Sequence, residues 1–199
     1  MEIKTTEEIV SYGLGVQVSS RLSFFPGFSF EALLEGIKDG AQGSLRLDDA
    51  EISAAFKAIN EKLKKEQEEL AKASQAASEK YLKENAQKEG VTVTASGLQY
   101  EVLKEGSGKI PSRSDKVKVH YHGTFTDGRV FDSSVERGEP AVFGVTQVIK
   151  GWTEALQLMK TGSKYRLTIP SDLAYGDSGA GTIPPKAALI FDVELLEIL

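Results

Sequence analysis

The periodicity of the chain changes at Gly90, and that change limits what each part can become. Up to Lys88, apolar residues recur at intervals of three and four, glycines fall at apparent breaks or close-packing points, and Pro26 is the only proline. From Val91 onward apolar and polar residues alternate, as in VTVTASGLQYEVLKEG and KVKVHYHGTF. A period near 3.6 lines up one face of a helix, whereas a period of two lines up one face of a sheet. The chain therefore reads as an all-helical region, residues 1–90, followed by a sheet-forming region, residues 91–199, which together make an α+β protein.

Three helices are expected in the first region. One runs from about Thr6 to Ser20, with Ile9, Leu14, Val16 and Val18 on its apolar side and Gly13 and Gly15 adding little bulk. A second, FEALLEGIKDG, has Ser29 placed to cap it and Gly40 placed to stop it. A third opens at Asp48, where Glu51 completes a capping box, and it meets no breaker before Gly90. About forty residues at 1.5 Å each span roughly 60 Å, so this helix, about residues 48–89, is expected as a long connecting arm. Ile52, Phe56, Ile59 and Leu63 give its first half an apolar stripe. Between Lys64 and Lys88 only Leu70, Tyr81 and Leu82 are large and apolar, and Glu and Lys lie three or four apart, which reads as a solvated face. Short helices are marginal alone, and Phe24, Phe25, Phe28, Phe30 and Phe56 make a thin core for one copy. Homodimerisation through residues 1–90 is the expected remedy, with Gly13 and Gly15 allowing two backbones to approach closely.

In the second region, TDGRVF puts Asp127 and Gly128 at a tight hairpin turn. WTEALQLMK reads as a short helix, and RLTIP and ALIFDVELLEIL as further strands, giving an antiparallel sheet wrapped on one helix.

Composition removes several functions. No apolar run approaches the roughly 20 residues of a membrane helix, and the first 25 residues lack the basic start and apolar stretch of a secretion signal. A cytoplasmic location is expected, or a periplasmic one if Met1 replaces a removed signal. There is no cysteine, hence no disulfide, thiolate nucleophile or cysteine-based metal site. A net charge of −5, with neither region rich in Lys and Arg, argues against a nucleic-acid partner. His120 and His122 share a sheet face with Lys118, but no third ligand is evident nearby and neither has a nucleophile elbow as partner. No metal and no cofactor is expected.

Three blocks then carry a resemblance: VKVHYHGTFTDGRVFDSS from Val117, VIKGWTEAL from Val148, and LTIPSDLAYGDSGAGTIPPKAALIFDVEL from Leu167. Together they resemble the FKBP-type peptidyl-prolyl cis/trans isomerases, and SYGLGVQVSSRL resembles the N-terminal dimerisation domain of the bacterial two-domain, Mip-like members. The resemblance implies rotamase activity on unfolded or partly folded proline-containing chains, with macrolides as possible inhibitors; no membrane partner is expected, in line with the absence of a membrane-length apolar run. It also implies a pocket formed by Tyr121, Phe131, Asp132, Val148, Ile149, Trp152, Tyr175, Ile183 and Phe191, with Arg137 supporting Asp132. In it Trp152 would floor the prolyl ring, the Ile149 N–H and Tyr175 hydroxyl would donate to ligand carbonyls, and Asp132 would orient the twisting amide. Taken singly, Phe131, Val148, Trp152 and Phe191 are ordinary core residues, Asp132 a turn cap and Tyr175 a packed aromatic; only their joint occurrence points to a site. Two departures stand out. Ala141 follows Pro140 where small single-domain members put an aromatic, and GDSGAGTIPP is one residue short and lacks an aromatic or histidine. A different class of function, a holdase-type chaperone or adaptor in which isomerisation is incidental, remains open on these residues.

Overall fold

The computed structural model describes residues 2–22 and 27–199; Phe24, Phe25 and Pro26 lie outside them. It divides into two compact units, Met1–Ile59 and Asn60–Leu199.

The first unit holds α1 (Thr6–Leu22), α2 (Phe30–Gln42) and the start of α3 (Asp49–Asn85). Each helix start is fixed by a side chain. At α1, Glu8 N–H donates to Thr5 Oγ1 (3.2 Å) and Thr5 N–H to Glu8 Oε2 (3.0 Å). Ser29 Oγ accepts from Ala32 N–H at α2 (3.2 Å). Asp48 and Glu51 form the expected reciprocal box at α3 (2.8 and 3.1 Å). Helix α2 runs through Gly40 and stops at Gly43 instead, where the φ of 68° suits glycine and the cap N–H turns back to Asp39 and Gly40 carbonyls. None of the described residues of this unit is buried; Ile9, Tyr12, Leu14, Phe30 and Ile37 are each more than half exposed.

The second unit is a seven-stranded antiparallel sheet around one short helix: β1 (Val91–Val93), β2 (Gln99–Lys104), β3 (Lys116–Phe125), β4 (Val130–Ser133), β5 (Ala141–Gly144), α4 (Lys150–Leu156), β6 (Lys164–Ile169) and β7 (Leu189–Ile198). The strand order is β1-β2-β6-β7-β3-β4, and β5 pairs with the first residues of β3. Alternation works as expected along β3: Val117, Val119, Tyr121 and Phe125 face the core, while Lys118, His120 and His122 face outward. At the β3–β4 hairpin Gly128 takes the positive φ (86°) and its N–H donates to Phe125 O (3.0 Å). Helix α4 begins two residues before Trp152 and ends sooner than WTEALQLMK suggests, burying Trp152, Ala155 and Leu156 in the same core cluster as Ile169, Leu167 and Val193.

The expectation of a solvated face from Lys64 to Lys88 is overturned at its C-terminal end. Ser78 and Asn85 are only 6 % and 7 % exposed. Asn85 Nδ2 donates to Gln99 Oε1 (2.9 Å) and Thr168 Oγ1 (3.2 Å), and Gln99 Nε2 donates to Leu82 O (2.9 Å). This end of α3 docks on the sheet through buried polar groups, which an apolar-periodicity reading does not register. The helix itself stops at Asn85, and Gly90 (φ 83°) turns the chain into β1.

Candidate active site

Strands β3, β4 and β7, the start of α4 and the loop after β6 converge on a cavity of about 470 Å³. Tyr121, Phe131, Asp132, Val148, Ile149, Trp152, Tyr175 and Phe191 line it, together with Phe143 and Gln147. Arg137 stands behind Asp132, and Ile183 lies elsewhere, buried along a second groove between α3 and the loop 178–185.

The floor is an aromatic box. The indole of Trp152 meets Tyr121, Phe143 and Phe191 edge-on, with centroids 5.4, 5.8 and 5.3 Å away and planes 82–86° apart. Such T-shaped contacts set the electropositive ring edge against the electronegative face. Phe131 stands at 90° to Phe191, centroids 5.4 Å apart. Gly123 makes this closure possible: a Cβ there would sit 2.8 Å from Phe131 Cζ and 2.9 Å from Phe191 Cε1. The indole Nε1–H is buried and has no hydrogen-bond partner among the described residues.

The polar rim is small. Tyr121 Oη donates to Asp132 Oδ2 (2.5 Å), Arg137 Nη2 donates to Tyr121 Oη (2.8 Å), and Arg137 Nη1 donates to Asp132 Oδ1. Burial pushes the Asp132 carboxyl up, but the hydrogen bonds from Tyr121 and Arg137 and the guanidinium charge outweigh it and hold it below the usual carboxylate range. The Tyr121 hydroxyl is pushed up, first by burial and then by its bond to Asp132. Ile149 is the cap residue of α4, and its carbonyl accepts from Trp152 and Thr153 N–H. Tyr175 is 40 % exposed at the mouth.

These shifts make a pH prediction. Asp132 stays ionised and Tyr121 protonated between about pH 5 and 9, so short-peptide isomerisation should be flat there. Because the folded-state pKa of Asp132 is lowered, the network's contribution is present above the unfolded value and is lost as pH falls through the folded one. Activity and melting temperature should therefore decline together only below about pH 4; a rate that titrates near neutrality would contradict the network.

Phe143 and Gln147 were not legible as lining residues. Phe143 is two residues beyond Ala141 on β5, on the same strand face, so the aromatic wall that Ala141 lowers is partly rebuilt from its neighbour. Among the described residues no group of three or more His, Asp or Glu side chains is placed to hold a metal.

An aromatic-floored cavity on an antiparallel sheet wrapped around one helix, with one carboxylate held by a tyrosine and an arginine, has counterparts among known proteins. Residues 108–196 match the family model described as FKBP-type peptidyl-prolyl cis-trans isomerase, and residues 7–102 match the domain amino-terminal to it. The chain is 50 % identical over 199 residues to the FKBP-type 22 kDa peptidyl-prolyl cis-trans isomerase of Escherichia coli K12, covering 98 % of this chain and 97 % of that protein. It is 52 % identical over 170 residues to the FkpA isomerase of Aeromonas hydrophila, covering 83 % of this chain and 63 % of that protein. The crystal structure of FkpA from Escherichia coli superposes with a TM-score of 0.71 at 34 % identity, over 99 % of this chain and 98 % of that one. The chain belongs to the FKBP-type peptidyl-prolyl cis-trans isomerases and is an enzyme of that class.

Proposed function

We propose that the cavity over Trp152 is where this isomerase binds the Xaa-Pro bond, with Asp132, Tyr175 and Ile149 as its polar contacts. The observation that carries this reading is the composition of the cavity, an aromatic floor with few polar groups at its edge and no activated nucleophile. That is what the reaction calls for. Amide resonance sets a rotation barrier of about 18–20 kcal/mol, and Xaa-Pro is the bond whose cis and trans forms lie close in energy. As the bond twists, resonance is lost and the carbonyl becomes less polar. An apolar, water-poor cavity disfavours the planar polar form relative to the twisted one, so binding the twisted form is enough to accelerate exchange.

In this reading the prolyl ring rests on Trp152 between Phe131, Val148 and Phe191. The Ile149 N–H, which makes no hydrogen bond among the described residues, and the Tyr175 hydroxyl donate to substrate carbonyls. Asp132, held ionised and oriented by Tyr121 and Arg137, places its field on the twisting amide. Ile183 acts by packing beneath the loop instead of by touching substrate. Macrolide inhibitors would occupy the same floor, with Phe143 providing the wall beside Ala141.

The clients proposed are unfolded or partly folded proline-containing chains, and residues 1–90 are proposed as a homodimerisation region. What supports the dimer is the exposed apolar face of the first unit, together with the open space around Gly13 and Gly15. An apolar groove lined by Phe28, Leu33, Leu47, Ile52, Ala55 and Phe56 adds to it. The same exposed face is the observation behind the second reading, client holding in which isomerisation is incidental.

The test is cis/trans exchange in a short Xaa-Pro peptide. Tyr175→Phe and Asp132→Asn should each lower kcat/KM by about tenfold, the loss of one hydrogen bond to a polar or charged group, while leaving the fold intact. Unchanged rates for both would remove them from the site.

A further inference from the structure

The loop that leaves the cavity at Tyr175 is closed immediately behind it. Gly176 O accepts from Lys186 N–H (2.9 Å), so residue 186 ties the two ends of the loop together one position after the tyrosine. Lys186 is the one non-glycine residue with a positive φ (59°) among the described residues, a backbone state that a side-chain-bearing residue holds only where its surroundings impose it. The surroundings that impose it come from α3. Ser78 Oγ donates to Lys186 O (3.1 Å) and accepts from Ala188 N–H (2.8 Å), while Lys186 Nζ donates to Gln75 Oε1 (3.1 Å) and lies 3.9 Å from Asp177. Ser78 is 6 % exposed and Ala188 1 %. A serine within a helix commonly turns its hydroxyl back to a carbonyl of the preceding turn. Here the hydroxyl instead satisfies peptide groups on both sides of Ala187, more than a hundred residues away in sequence.

We propose that Ser78, assisted by Gln75, is a positioning residue for the isomerase reaction. By fixing Lys186 in its left-handed conformation, α3 sets the base of the 176–186 loop and with it the place of the Tyr175 hydroxyl at the cavity mouth. The sheet alone does not do this, since Gly176 and Lys186 are bonded to each other and not to a strand. The inference rests on the assignment of Tyr175 to the substrate-binding rim.

The experiment measures kcat and KM for a proline-containing tetrapeptide with the full chain carrying Ser78→Ala, Tyr175→Phe, and both. Ser78→Ala should lower kcat/KM about threefold to tenfold, the scale of one lost hydrogen bond, chiefly through KM. In the Tyr175→Phe background the same substitution should cost less than twofold, because the hydroxyl whose placement it disturbs is gone. Gln75→Ala, on the outer side of the contact, should give a smaller fall in the same direction. An unchanged kcat/KM for Ser78→Ala would overturn the proposal. So would an equal fall in both backgrounds, which would mean that Ser78 supports the fold without regard to Tyr175. If Tyr175→Phe alone leaves activity unchanged, the assignment of Tyr175 fails, and the positioning role falls with it; only in that case is the tyrosine itself the error.

Discussion

Trp152→Ala should cost the enzyme about 3–5 kcal/mol of stability, the range for removing a large buried aromatic without collapse of the space it leaves. The indole is 4 % exposed, and three aromatic rings stand edge-on against it. Gly151 is packed so closely on Ile169 that a Cβ there would lie 2.5 Å from Ile169 Cγ2, which leaves α4 little freedom to move into the void. For a unit of this size each kcal/mol corresponds to about 2–4 °C, so melting should fall by roughly 6–20 °C. Isomerase activity should disappear with the floor of the cavity. Tyr175→Phe, which changes an exposed side chain at the mouth, should leave the melting temperature nearly unchanged while lowering activity. Equal thermal shifts for the two variants would contradict the division between a packed floor and a functional rim. Trp152→Phe should be milder than Trp152→Ala in both respects, because the indole Nε1–H has no partner to lose among the described residues.

The cavity was legible only through the family resemblance carried jointly by the blocks from Val117, Val148 and Leu167, since taken singly its residues read as core, a turn cap and a packed aromatic. Phe131–Asp132 follows the Asp127–Gly128 hairpin, Ile149 precedes Gly151–Trp152, and Tyr175 closes the stretch after β6. Alternation along β3 separated Tyr121, facing the core, from His120 and His122, facing outward. Phe143 was missed for a physical reason: β5 is four residues long, and so short a strand shows no period by which to assign faces, while Gln147 lies beyond it in the bend before α4, where no period exists at all. The docking of α3 was hidden more deeply. Its contacts are made by a serine and an asparagine in a stretch of Ala, Glu and Lys, and they go to Lys186, Ala188, Gln99 and Thr168. A hydrophobic pattern reports which residues leave water for an apolar core. It does not report a polar side chain buried because a distant backbone group needs a partner. The change of period at Gly90 thus marks where strands begin, while the packed unit that contains the cavity begins earlier, at Asn60.

That difference separates two truncations that a reading of the period alone would treat as equivalent. A chain beginning at Asn60 keeps Ser78 and Asn85 with their partners, so tetrapeptide turnover should remain within about twofold of the full chain, less than the factor for one lost hydrogen bond. A chain beginning at Val91 leaves Gln99, Thr168 and the Ala188 N–H without the groups that satisfy them. At about 1–3 kcal/mol for each buried polar group so exposed, it should lose several kcal/mol of stability and turn over even a tetrapeptide poorly. Both fragments should be monomeric in light scattering, whereas the full chain should run at twice its 21.6 kDa. Proline-limited refolding of a whole protein is the assay that tests what the first unit adds. A client held weakly on apolar surface of the first unit that dimerisation leaves uncovered would meet the cavity at an effective concentration of about millimolar, a gain that a tetrapeptide is too small to share. Removal of residues 1–59 should therefore reduce refolding acceleration by about tenfold or more while sparing the tetrapeptide, as expected when a second, tethered contact is lost. An equal fall in the two activities at matched active-site concentration would mean that the first unit only stabilises the second, and that it holds no client.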